Sequence, residues 1–124
     1  MSFAAWVAFV VAGALGAPLR YVLDGLVADR TEGVFPWGTF AVNVSGSLVL
    51  GVLTGLSLYR AFPRTPKVVL GTGFCGAYTT FSTCSVDTVR LMEEGDVRAG
   101  LANAAATFVT CAAAAAAGLA LASL

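Results

Sequence analysis

The chain has 124 residues, 58% of them apolar and 11% charged, with seven basic side chains, seven acidic ones and no histidine. Soluble domains run at about 45–50% apolar and about 25% charged, so an ordinary water-soluble fold and a disordered chain are both excluded. The balanced charge leaves no basic excess to release counterions from a phosphate backbone, which argues against nucleic acid as a partner.

The charged residues cluster, leaving 1–19, 33–59, 68–86 and 99–124 without any. A hydrocarbon core of about 30 Å takes roughly 20 helical residues, and a charge at its centre costs roughly 2.5–3.5 kcal/mol on insertion scales. The expected fold is an all-α membrane protein. It is a single domain, 1–124, of four transmembrane helices spanning approximately 3–20, 35–59, 68–90 and 99–122. The blocks of about ten alternating residues that a membrane β-barrel needs are missing.

The first span ends in small residues, Ala12-Gly13-Ala14-Leu15-Gly16-Ala17, as a secretion signal does. No basic residue precedes the apolar run, and Pro18-Leu19-Arg20-Tyr21 follows without a polar spacer, so the span is expected to be retained. The second span carries Ser47, Gly51 and Gly55 at every fourth position, a small-residue stripe along which helices approach closely. Asn43 lies one turn before it. In lipid an Asn must either bond a neighbouring helix or face water.

The third span has three glycines in six residues, Gly71, Gly73 and Gly76, followed by the hydroxyl-rich run Tyr78-Thr79-Thr80-Phe81-Ser82-Thr83. Its helix propensity is poor, and Ser and Thr offer the backbone local alternatives to helix. A broken helix is expected; the alternative is a continuous one using glycine for close packing. A break frees carbonyls and amides, tolerated in a membrane only where protein buries them or a wet path runs past. Freed carbonyls suit a hard cation, and freed amides with hydroxyls suit an anion. The fourth span is mostly alanine, yet Asn103, Thr107, Thr110 and Cys111 fall on one narrow arc. Cys75, Cys84 and Cys111 lie in apolar stretches with no paired or metal-ligand spacing, and read as small buried residues.

With four spans, the termini and the second-to-third connection share one side, which carries Arg60, Arg64 and Lys67. The opposite side carries Arg20, Arg30, Arg90 and Arg98. The positive-inside bias is nearly cancelled, so insertion in both orientations and pairing with an inverted copy are expected; the alternative is that a one-charge bias still fixes one orientation. No span places an ionisable group at mid-membrane, which disfavours proton-coupled pumping. A hydrolase would lack a histidine base and a metal cluster. Passive permeation remains.

The run Gly73-Phe74-Cys75-Gly76-Ala77-Tyr78-Thr79-Thr80-Phe81-Ser82-Thr83 resembles the signature of the Fluc (CrcB) fluoride channels. So do Gly38-Thr39-Phe40-Ala41-Val42-Asn43 with Gly46-Ser47, and Gly16-Ala17-Pro18-Leu19-Arg20-Tyr21, in family order and spacing. The resemblance implies a dual-topology, antiparallel dimer in the lipid of a bacterial cytoplasmic membrane, passively exporting fluoride. It also implies a structural, untransported sodium ion at the dimer centre, held by backbone carbonyls matching Gly76 and Thr79 of each subunit. The implied fluoride path takes in Asn43, Phe81, Ser82, Thr83, Asn103, Thr107 and Cys111. Arg20 matches a vestibule arginine, where it either raises the local anion concentration or snorkels to the interface. Three positions depart from the family pattern: Ala77, Tyr78, and Cys84 in place of the second phenylalanine of a pair. The last admits a rival reading, a non-conducting partner subunit working beside a paralogue instead of in a homodimer. A small dual-topology drug exporter is a weaker rival, because such a protein needs a glutamate in its first span and 1–19 has none.

Overall fold

Segregated charge produces long helical rods. The computed structural model describes residues 1–124, and its regular structure is entirely helical. Helix α1 covers Phe3–Arg30; Ser2 caps it by accepting the Ala5 amide at 3.1 Å. Helix α2 covers Trp37–Tyr59, starting directly after Pro36. The third rod comprises α3 (Arg64–Lys67), a π-helical stretch (Val68–Cys75), α4 (Gly76–Tyr78) and α5 (Phe81–Glu93). Helix α6 covers Val97–Ser123, capped by Asp96, which accepts the Ala99 amide at 3.0 Å. Helices α1, α2 and α6 are each long and apolar enough to cross a membrane.

Two boundaries differ from the sequence expectation in an instructive way. Helix α1 does not stop near residue 20 but passes Pro18 and runs on to Arg30. Its first charges are accommodated: Arg20 reaches the Thr79 carbonyl, and Asp24 lies against Gly38 of α2. The third rod begins at Arg64 and ends at Glu93, wider than 68–90, because its polar ends continue as helix outside the apolar stretch.

The π-helical stretch is longer than the single-turn bulges in which such geometry mostly occurs. Its wider turn is closed by the Gly76 amide, which bonds the Gly71 carbonyl five residues back. Helix α1 packs on it backbone to backbone. A Cβ at Gly16 would come within 2.5 Å of the Phe74 carbonyl oxygen and 3.2 Å of the Tyr78 amide nitrogen, so only glycine fits there.

The seam between α2 and α6 is equally tight. Gly51 and Gly55 lie against Ala115, Leu119 and Ala122, as the small-residue stripe predicts, and Gly118 answers from α6. At the same end, Arg60 donates to the Ala122 carbonyl at 3.4 Å, tying the end of α2 to the end of α6. Large apolar side chains such as Phe3, Trp6, Leu15, Phe81 and Phe108 point outward. That surface suits lipid or a second apolar surface, not water.

Candidate permeation site at the break in the third rod

The rod is interrupted at two residues. Thr79 has ψ 161° and Thr80 has φ −147° and ψ 122°, both extended, between the end of α4 and the start of α5. The continuous-helix alternative is therefore not adopted. Hydroxyls close both ends of the gap. Thr79 Oγ1 donates to the Cys75 carbonyl at 2.9 Å, and Thr80 Oγ1 accepts the Thr83 amide at 3.1 Å, starting α5.

Asn43 spans the gap from α2. Its Nδ2 donates to the Thr80 carbonyl at 2.9 Å, and its Oδ1 accepts the Thr80 amide at 2.8 Å. One side-chain amide thus supplies both partners that a neighbouring strand would give an extended residue. Of the two fates open to Asn43, bonding a neighbouring segment is the one realised. Because the Thr80 amide turns to Asn43, the Gly76 carbonyl loses the partner four residues on that an intact helix would provide. Gly76 is exposed on the surface of the chain. The Thr79 carbonyl is met by Arg20 Nη1 at 3.4 Å.

Beside the break lies a cleft of ≈ 230 Å³, bounded by Asn43, Ser47, Thr79, Thr80, Phe81 and Cys111. Phe81, the first residue of α5, is 87% exposed, so its ring is presented outward from the single chain. Asn103 and Thr107 do not open into this cleft. Asn103, 1% exposed, donates to Thr88 Oγ1 at 2.9 Å and, more weakly, to the Cys84 carbonyl at 3.5 Å. Thr107 donates to Asn103 Oδ1 at 3.4 Å, making a polar ladder between α5 and α6. Ser82 is exposed, its hydroxyl 3.3 Å from that of Thr80. Thr83 and Arg20 share a different cleft, ≈ 200 Å³, with Asp24, Thr39 and Thr80.

Of the expected site residues, Asn43, Thr79, Phe81 and Cys111 gather at one cleft, Asn103 and Thr107 form the ladder, Arg20 and Thr83 line the other cleft, and Gly76 and Ser82 are exposed outside both clefts.

Sequence reasoning missed a fourth feature. Asp87, 5% exposed, accepts the Thr39 hydroxyl at 3.1 Å and pairs with Arg90. The only signal was an acid close behind the hydroxyl run. Tyr78 proves to be buried, its hydroxyl 2.8 Å from that of Ser45 and its ring stacked on Phe74.

Residues 7–119, which take in the break and all but the outer ends of α1 and α6, match the family described as CrcB-like protein, Camphor Resistance (CrcB). The chain belongs to the CrcB family. A relative in Streptomyces avermitilis named Fluoride-specific ion channel FluC 1 is 54% identical over 99 residues, covering 79% of this chain and 80% of that one. A Mycolicibacterium paratuberculosis relative named Fluoride-specific ion channel FluC 2 is 47% identical over 121 residues, covering 98% and 96%. A third, from Frankia casuarinae and named Fluoride-specific ion channel FluC 1, is 45% identical over 122 residues, covering 94% and 95%. The CrcB match and the long apolar helices make this a membrane protein.

Proposed function

We propose that this CrcB chain is a subunit of a fluoride channel that lets fluoride leave the cytoplasm down its gradient. The observation that carries the reading is the Asn43-clamped break beside a cleft holding Phe81 and Cys111, in a chain whose relatives bear fluoride-channel names. Fluoride crosses membranes as the neutral acid and ionises at cytoplasmic pH, so a passive anion path drains it without an energy source. The edge of an aromatic ring carries partial positive charge and can face a small anion without the tight hold of a formal charge. Phe81 takes that role, with the hydroxyls of Ser82 and Thr83, the ladder of Asn103 and Thr107, and Cys111 at the cleft as polar stations.

An outward-facing Phe81 on a single chain calls for a second surface. An antiparallel pair of subunits in the cytoplasmic membrane supplies one, and the nearly cancelled positive-inside bias supports it. The freed carbonyl of Gly76 and that of Thr79 fit a hard cation, and a structural sodium ion held between two such breaks offsets the repulsion of facing carbonyl dipoles. These residues bind and orient; no step of bond-making is needed.

A second reading, a partner subunit that conducts only beside a paralogue, is favoured by Cys84, whose Sγ lies 4.0 Å from Asn103 Nδ2 where the family pattern has an aromatic ring. The numbering in the relatives' names, FluC 1 and FluC 2, points to paralogues within the family. The drug-exporter reading has no such support, since the whole of α1 lacks a glutamate.

Fluoride efflux from liposomes holding this chain alone, read by a fluoride electrode, tests the proposal. Efflux well above that of empty liposomes is expected. A folded dimer with only the empty-liposome rate would replace the homodimer reading with the partner-subunit one, to be checked by reconstitution with a paralogue.

A further inference from the structure

Arg20 is the cation that touches the break. Its Nη1 donates to the Thr79 carbonyl at 3.4 Å, long for a charge-assisted bond, and the residue is half-buried. The cleft that holds Arg20 also holds Asp24, one turn further along α1. The guanidinium thus lies near two acceptors, the Thr79 carbonyl that it touches and a carboxylate lining the same cleft. It takes the carbonyl, and the one ion pair in the chain is that of Arg90 with Asp87.

Resting on the sodium reading above, we propose that Arg20 is a built-in competitor for the Thr79 carbonyl, so that it and the cation held at the break exclude one another at that oxygen. Two unit charges around one oxygen repel strongly in a medium far less polar than water. Without sodium, Arg20 satisfies a carbonyl that would otherwise lie at the break without a donor. With sodium bound, the guanidinium turns to Asp24, whose carboxylate neutralises it inside the same cleft. Arg20 is then a positioning residue, acting through the Thr79 oxygen and setting how tightly the break holds its cation. Asp24 acts on the same balance from the other side.

The competition predicts a sign that a strut would not give. An arginine that merely held Thr79 in place would, when lost, weaken cation binding. A competitor, when neutralised, strengthens it.

The test titrates sodium chloride against N-methylglucamine chloride at constant ionic strength, with the purified full-length chain. Binding is read by calorimetry and by the sodium dependence of the thermal unfolding midpoint. Arg20→Gln, which keeps a donor and removes the charge, should lower the sodium midpoint about tenfold, and Asp24→Asn should raise it about threefold, as expected for loss of a nearby charge. Arg20→Gln with a midpoint equal to or above that of the unaltered chain overturns the proposal. If Arg20→Gln does not fold, Asp24→Asn decides, and an unchanged midpoint overturns it equally. An unaltered chain that folds and conducts fluoride with no sodium response removes the sodium reading itself, an outcome distinct from a failure of the competition alone.

Discussion

Along α2, Gly51 and Gly55 lie against the backbone of α6, whereas further up the same helix Asn43 and Gly46 lie against the broken third rod. Both junctions bring main chains close together, but different forces hold them. The α2–α6 seam is held mainly by dispersion between small residues on two intact helices. The Asn43 junction holds a backbone with no helix to satisfy it, and a single side chain makes up both missing bonds. A membrane chain can therefore lose helix at one point, provided that a neighbour carries the matching amide. Where it does so, carbonyls such as that of Gly76 lose the partner an intact helix would give them.

The comparison breaks most readily at Asn43. Asn43→Ala should orphan the Thr80 amide and carbonyl, at about 1–3 kcal/mol for each group, and bring fluoride efflux to the empty-liposome rate. Thermal unfolding and the electrode assay read the two consequences, size-exclusion chromatography checks that the chain stays assembled, and wild-type flux would remove Asn43 from the path. Gly118→Ala tests the other junction. A Cβ there would meet the Leu48 carbonyl at 2.5 Å and the Val52 amide at 2.6 Å, so overpacking of about 1–3 kcal/mol is expected, with flux per folded chain retained.

Thr80→Ala removes the hydroxyl that starts α5 and should cost about 1 kcal/mol in thermal stability, less than loss of Asn43 because the backbone clamp remains. Phe81→Ala should change subunit stability least, by less than about 0.5 kcal/mol, since the ring is outward in the single chain. It should nevertheless abolish efflux. Retained efflux would show that this ring is not a station for the anion.

Much of this was legible in the residues. Segregated charge marks the rods, and Gly71, Gly73 and Gly76 before a hydroxyl run mark the rod that breaks. The stripe of Gly51 and Gly55 marks a close helix approach, but not that the partner is the mostly alanine α6. The course of α1 to Arg30 was hidden, because a charge-free window ends at the first charge and takes no account of acceptors such as the Thr79 carbonyl on another rod. Asn43 bonding to both sides of Thr80 was hidden for a related reason: spacing places a side chain on a face but does not say which backbone across from it has lost its partners. The pair of Asp87 with Thr39 joins residues far apart in sequence, and no local pattern announces it. The eight-residue π-helical stretch has no distinct periodic signature in so short a run.

The central claim is that the third rod is interrupted at Thr79 and Thr80 and that Asn43 holds the interruption. Residue-resolved amide hydrogen exchange in the membrane-reconstituted chain tests it most directly. The Thr80 amide should be protected in the unaltered chain and lose protection in Asn43→Ala, while amides of the α2–α6 seam stay protected in both. A Thr80 amide equally protected in both chains would mean that it is bonded within an intact helix, and would contradict the account.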